Sequence, residues 1–233
     1  MHNFSRLLRD VIFVNMPVNK EAYQQLNEEL RLLNITLVTV SKTKPVDDIL
    51  ELYDLGHRDF GENYVQELVE KAEQLPKDIR WHFIGHLQTN KVKSIVPFVY
   101  LIHGVDSLKL LNEIDKQAAK NSRVIHCLLQ VHIAQEETKF GFDENELFGL
   151  DMGQFQNVKI NGLMGMASLT DDMNKVRIEF KHLKTISQKL QASTPQLQTL
   201  SMGMSSDYKI AIEEGSNMVR IGSLIFGERN YQK

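Results

Sequence analysis

Eight short apolar runs, each followed by a stretch of helical periodicity, constrain this 233-residue sequence more than any other feature. They fall at 35–40, 58–61, 80–84, 99–102, 124–133, 158–164, 197–200 and 218–221. β-Branched residues recur in them and polar alternation is rare, as in parallel strands covered on both faces. The first of the intervening helices is predicted from Asn19, with Tyr23, Leu26, Leu30 and Leu33 as its stripe. Others are predicted over 46–55, 64–74, 91–95, 108–119, 172–190 and 207–214, with one more opening at the capping-box pair Asp143 and Glu146. The helix over 172–190 carries the clearest stripe, Val176, Phe180, Leu183, Ile186 and Leu190. Eight β/α units in roughly 200 residues predict a closed (β/α)8 TIM barrel, a single α/β domain spanning 1–233. An open doubly wound sheet usually carries a glycine-rich dinucleotide turn after its first strand, and this chain has Ser-Lys-Thr-Lys-Pro there.

Composition removes several functional classes. A net charge of −3, without a dense basic run, argues against nucleic acid as the main partner. No apolar stretch approaches the roughly 20 residues needed to cross a bilayer. The patch VIFV near the start lacks a following small-residue cleavage site, so a cytoplasmic protein is expected. The single cysteine, Cys127, excludes an intramolecular disulfide and reads as a small core residue. Residues 1–15 fit the pattern poorly, and Met16-Pro17 reads as a second beginning with the preceding segment loosely held.

Chemistry in a barrel belongs at the carboxyl ends of its strands. The first run, ITLVTV, ends at Lys42 and Lys44 before Pro45. A lysine there has a tethered stem and a partly desolvated amine, which favours the free base that attacks a carbonyl. Lys42 reads either as a Schiff-base lysine or as a solvated lysine at a strand end. The last two strand ends offer LSMGMSSD and RIGSLIFG, where such barrels commonly cradle phosphate. Small residues, hydroxyls and glycine let backbone N–H groups approach a dianion closely. A carbonyl-reactive lysine facing a phosphate cradle suits either pyridoxal phosphate or a phosphorylated sugar. Arg220, on the last strand, either donates to a pyridine nitrogen or forms an inter-strand ion pair with Glu62 or Glu228. His82 and His86 have metal-like spacing, but they straddle a strand-to-loop junction and HExxH is absent, so no metal is expected. The charged helix over 66–77 reads as a solvated outer face.

The motifs VSKTKP, FGENYVQE, WHFIGHLQTNK, GLMGMA, LSMGMSSD and MVRIGSLIFGERNY resemble, in order, those of the pyridoxal phosphate homeostasis proteins, also called the proline-synthetase-co-transcribed family. The resemblance runs from about residue 35 to the C-terminus. It implies a barrel like the alanine racemase N-terminal domain, with pyridoxal phosphate as an internal aldimine on Lys42. It further implies phosphate contacts from Ser201 and the Gly222-Ser223 turn, Arg220 at the pyridine nitrogen, and Asn63 as a cofactor-side hydrogen-bonding residue. His86 stands where some members carry proline. The implied function is a non-catalytic, monomeric carrier in vitamin B6 homeostasis that supplies apo forms of pyridoxal phosphate-dependent enzymes. The alternative is an amino-acid racemase. Racemases sharing this barrel draw a second base, a tyrosine, from a β-rich domain, which is not expected here because the chain ends at Lys233.

Overall fold

The computed structural model of the chain describes residues 18–134 and 140–227. Among them, eight parallel strands pair in sequence order and the last returns to the first, closing a barrel. The strands are β1 (Thr36–Val40), β2 (Asp59–Glu62), β3 (Arg80–Phe83), β4 (Leu101–Val105), β5 (Ile125–Gln130), β6 (Val158–Met164), β7 (Thr199–Ser201) and β8 (Met218–Ile221). Helix α1 (Lys20–Leu32) precedes β1. Between strands lie α2 (Val46–Asp54), α3 (Val65–Gln74), α4 (Val92–Ile95), α5 (Leu108–Lys120), α6 (Glu144–Gly149), α7 (Met173–Ser193) and α8 (Tyr208–Glu213), and α9 (Ser223–Phe226) follows β8. At the seam, Thr36, Leu37, Val38 and Thr39 of β1 face Met218, Val219, Arg220 and Ile221 of β8.

Side-chain alternation sorts the apolar residues into two cores. Val38, Leu101, Leu128, Met164 and Met218 plug the lumen. The larger core lies between sheet and helices, where Leu37, Phe60, Phe83, Leu163 and Val219 meet Ile49 and Leu52 of α2 and Phe180 and Leu183 of α7. Cys127 is fully buried in this outer core, and burial pushes its thiol far above the usual range. Helix starts follow the sequence signals: Asn19, Ser107 and Asp172 accept backbone N–H groups of α1, α5 and α7. Asp143 and Glu146 complete the capping box of α6.

The barrel and its element order match the sequence reading, with differences at boundaries. β4 lies at 101–105, not 99–102, because Val99 still bonds back to Ile95 O (2.8 Å). β5 is shorter than the apolar run suggests: Val124 is exposed and residues beyond Gln130 enter a loop. β7 begins two residues later than expected, at Thr199, and includes Ser201. Leu33 is exposed beyond the end of α1. Residues 1–15 and Glu228 lie outside the described residues. No helix among the described residues is long and apolar enough to cross a membrane.

Candidate functional site

In β1, Leu37 faces the helices and Val38 the lumen. Ser41 extends the pairing by donating its N–H to Gly61 O (3.0 Å). The half-buried Lys42 follows in the turn beyond the carboxyl end of the strand. Lys44 is turned aside: its ammonium donates to Phe226 O (2.7 Å) and lies 5.9 Å from the Phe226 ring. Between them Thr43 has φ +65°, in the left-handed region that side chains usually avoid.

What holds that loop is a charge cluster absent from the sequence reading. The Lys71 ammonium donates to Ser41 O (2.8 Å), Glu62 Oε1 (2.8 Å) and Glu67 Oε1 (2.6 Å), using all three of its N–H bonds. Ser41 Oγ donates to Glu62 Oε1 (2.6 Å), and Thr43 N–H to Glu67 Oε1 (2.6 Å). Both residues flanking Lys42 are thus tied to one cluster. Lys71 is only 5% exposed, the exception on a helix whose outer face, with Gln66, Glu70 and Glu73, is exposed as expected. It occupies the buried stripe with Leu68 and Ala72, as a hydrophobic residue would. Burial raises the Glu62 carboxyl above its ordinary range, opposed by Lys71 and Ser41. Glu62 therefore belongs to Lys71 and Ser41 rather than to Arg220.

Arg220, in β8, is buried, with Nη1 donating to Ser201 O (2.8 Å) and Ser201 Oγ (2.7 Å) and Nη2 to Gly165 O (3.1 Å). Two of its five N–H groups lie outside these bonds. Burial pushes the guanidinium down to about 10, opposed by Asp207, so it stays cationic at neutral pH. Ser201, read from sequence as a phosphate contact, is fully buried beneath the mouth, its hydroxyl engaged by Arg220 and by His103 Nδ1 (3.1 Å). Nearer the surface in these two loops lie half-buried Ser205 and Gly222 and exposed Met204, Ser206, Ser223 and Leu224. Gly222 N–H donates to Ser205 Oγ (3.3 Å) and Arg220 N–H to Gly203 O (3.0 Å), lacing the loops together. Gly203 has φ +96°, and a Cβ there would lie 2.6 Å from Ala211 Cβ.

Asn63 follows β2 at the mouth, and its Oδ1 is a buried acceptor without a hydrogen-bond partner. Its backbone is pressed by the β3 loop, where a Cβ on Gly85 would lie 2.3 Å from Asn63 O. His86, beside that glycine, bonds Asp106 Oδ2 through Nδ1 (2.8 Å) and stacks on Phe140 at 4.1 Å between centroids. Among the described residues no group of three metal-ligating side chains is assembled. Sequence reasoning also missed His103. The apolar run over 99–102 stops short of it, whereas β4 carries it inside the lumen.

A closed (β/α)8 barrel with a half-buried lysine just beyond β1 and a buried arginine on β8 defines the class. Residues 20–230 match the family model "Alanine racemase, N-terminal domain". A pyridoxal phosphate homeostasis protein of Aquifex aeolicus is 46% identical over 200 residues, covering 84% of this chain and 87% of the relative. The protein of that name from Vibrio alginolyticus is 42% identical over 205 residues, covering 85% and 88%. Among solved structures, PipY of Synechococcus elongatus with PLP bound superposes with a TM-score of 0.81 at 36% identity, covering 89% of this chain and 99% of PipY. The chain belongs to the alanine racemase N-terminal-domain family and, within it, to the pyridoxal phosphate homeostasis proteins.

Proposed function

We propose that the barrel mouth binds pyridoxal phosphate as a Schiff base on Lys42, and that the protein stores the cofactor and supplies apo-enzymes with it instead of turning over a substrate. The observation that carries this reading is the arrangement across the closing seam. Arg220 of β8 stands opposite Val38 of β1, and Lys42 follows in the turn just beyond the carboxyl end of that strand, so the cation and the amine come from the two strands that close the barrel.

Other features fit the group. The unpartnered Asn63 Oδ1 awaits a donor on the ligand's polar edge. The Gly222-Ser223 turn, with Ser205 beside it, offers small residues and hydroxyls to a phosphate. Pyridoxal phosphate supplies an aldehyde for Schiff-base formation and an electron-withdrawing pyridine ring. Arg220 can donate to the ring nitrogen but carries no proton it could give up, so that nitrogen stays unprotonated. Electron withdrawal is then weaker than with a carboxylate partner, which suits holding over catalysis. Lys42 keeps its amine at the mouth, and Ser201 acts on the cofactor through Arg220.

Borohydride reduction of the loaded protein, followed by peptide mapping, tests the attachment. The adduct is expected on Lys42, and an adduct on Lys44 would overturn the assignment. Incubation with L-alanine and other L-amino acids in deuterated water tests the carrier role. Turnover near a typical enzyme rate of about 10 s⁻¹, with deuterium at the α-carbon and D-isomer accumulating, would favour the racemase instead.

A further inference from the structure

Beneath Arg220 an unbroken line of polar side chains crosses the lumen to the opposite end of the barrel. Ser201 Oγ accepts from Arg220 Nη1 (2.7 Å) and lies 3.1 Å from His103 Nδ1. His103 Nε2 lies 2.9 Å from His82 Nδ1, and His82 Nε2 lies 3.0 Å from Asp59 Oδ1. Arg80 Nε donates to the same Asp59 oxygen (2.7 Å). His82, His103 and Ser201 are all fully buried. Their strands, β3, β4 and β7, stand around the barrel, so no local turn or cap explains the line.

Elementary bonding rules give the line a direction. The Asp59 carboxylate can only accept, so His82 presents Nε2–H to it. Arg80 already matches the Asp59 charge and Arg220 adds another cation, so nothing in the line balances a second proton on His82. Neutral His82 then offers Nδ1 as an acceptor, which requires Nε2–H on His103. His103 in turn accepts from the Ser201 hydroxyl, leaving the Ser201 lone pairs for Arg220. Every bond donates from Arg220 towards Asp59.

We propose that Asp59 is a positioning residue for Arg220: through His82, His103 and Ser201 it fixes the Ser201 hydroxyl with its lone pairs, not its proton, facing the guanidinium. Removing the carboxylate lets the line reverse. A proton on His103 Nδ1 would displace the Ser201 proton towards Arg220, setting donor against donor and loosening the arginine's fork. The consequence for the cofactor rests on the reading of Arg220 as the pyridine partner; the direction of the line does not.

Long-range ¹H–¹⁵N spectra of the imidazoles in the full-length, cofactor-free protein test the direction. Protons on Nε2 of both His82 and His103 are expected, with the His103 proton moving to Nδ1 in Asp59→Leu, which leaves His82 Nε2 no acceptor. Fluorescence titration tests the link to the site, and Asp59→Leu is expected to bind pyridoxal phosphate roughly tenfold more weakly, as for supporting residues behind a ligand contact. His103→Gln keeps a donor and an acceptor and is expected to stay within about twofold of the parent, while apolar His103→Leu loses roughly tenfold. This pair decides the matter should Asp59→Leu fail to fold. A proton on His103 Nδ1 in the parent, a doubly protonated His82, an unchanged affinity in Asp59→Leu or equal losses in the two His103 variants would each overturn the proposal. A parent that binds no pyridoxal phosphate would sink the functional reading instead, and the spectra would still decide the direction of the line.

Discussion

Ser201, the last residue of β7, and Ser223, the first of α9, have different surroundings. Ser223 is exposed, whereas Ser201 is buried against Arg220 and His103. Hydrogen bonds to charged groups are worth about 1.5–3 kcal/mol, so losing either hydroxyl should weaken retention roughly tenfold. Selectivity separates the two. Ser201→Ala should weaken pyridoxal phosphate and phosphate-free pyridoxal by the same factor, because it acts through the arginine. Ser223→Ala should weaken only the phosphorylated form. Titrating both variants with both vitamers checks this, and a phosphate-selective loss in Ser201→Ala would return that serine to the cradle. The place of Lys42 just beyond β1 was legible because the end of an apolar run is a local signal. The partners of Ser201 were not, since His103 lies 98 residues away along the chain.

The elements show where local pattern suffices and where it fails. β6 and β8 fall at the boundaries read from their apolar runs, and α7 follows its stripe. β4 was misplaced because His103 and Gly104 interrupt its run, although the lumen accepts a hydrogen-bonded histidine. Lys71 was misread because charge within a helix usually means solvent, and only the fold brings Ser41 and Glu62 beneath it. Breaking a buried ion pair by removing one partner costs about 3–5 kcal/mol. Lys71→Met should lose stability on that scale in urea unfolding and slow Schiff-base formation at Lys42. Adding Glu62→Gln should recover part of the stability, because the stranded carboxylate is then gone. His57, between α2 and β2, makes a pH prediction. Burial pushes its imidazole from 6.5 down to about 4, against the stabilising bond to Asp59 O. The unfolded chain therefore binds the extra proton first, and stability falls as pH drops from about 6.5 to about 4. The His57 share amounts to roughly 3 kcal/mol. His103, also held neutral by burial, adds loss in the same direction. His57→Gln should flatten part of this acid limb in denaturation measured across pH and leave the His103 part.

For the whole molecule, the closing seam sets the terms. Lys42 and the Gly222-Ser223 turn come from opposite ends of the described chain and meet only when β8 pairs with β1. A ligand held across that seam binds the closed barrel and not the open chain, stabilising it by about 2.7 kcal/mol at a hundred times its dissociation constant. Cys127 turns this linkage into a measurement. The chain has one cysteine, and it is fully buried in the outer core. Its alkylation should therefore wait on opening of the barrel itself. While reclosing outpaces alkylation the rate counts open molecules, so a hundredfold excess of cofactor over its dissociation constant should slow labelling by about a hundredfold. The chain thus carries its own clock, and the clock should run slow whenever the cofactor is aboard.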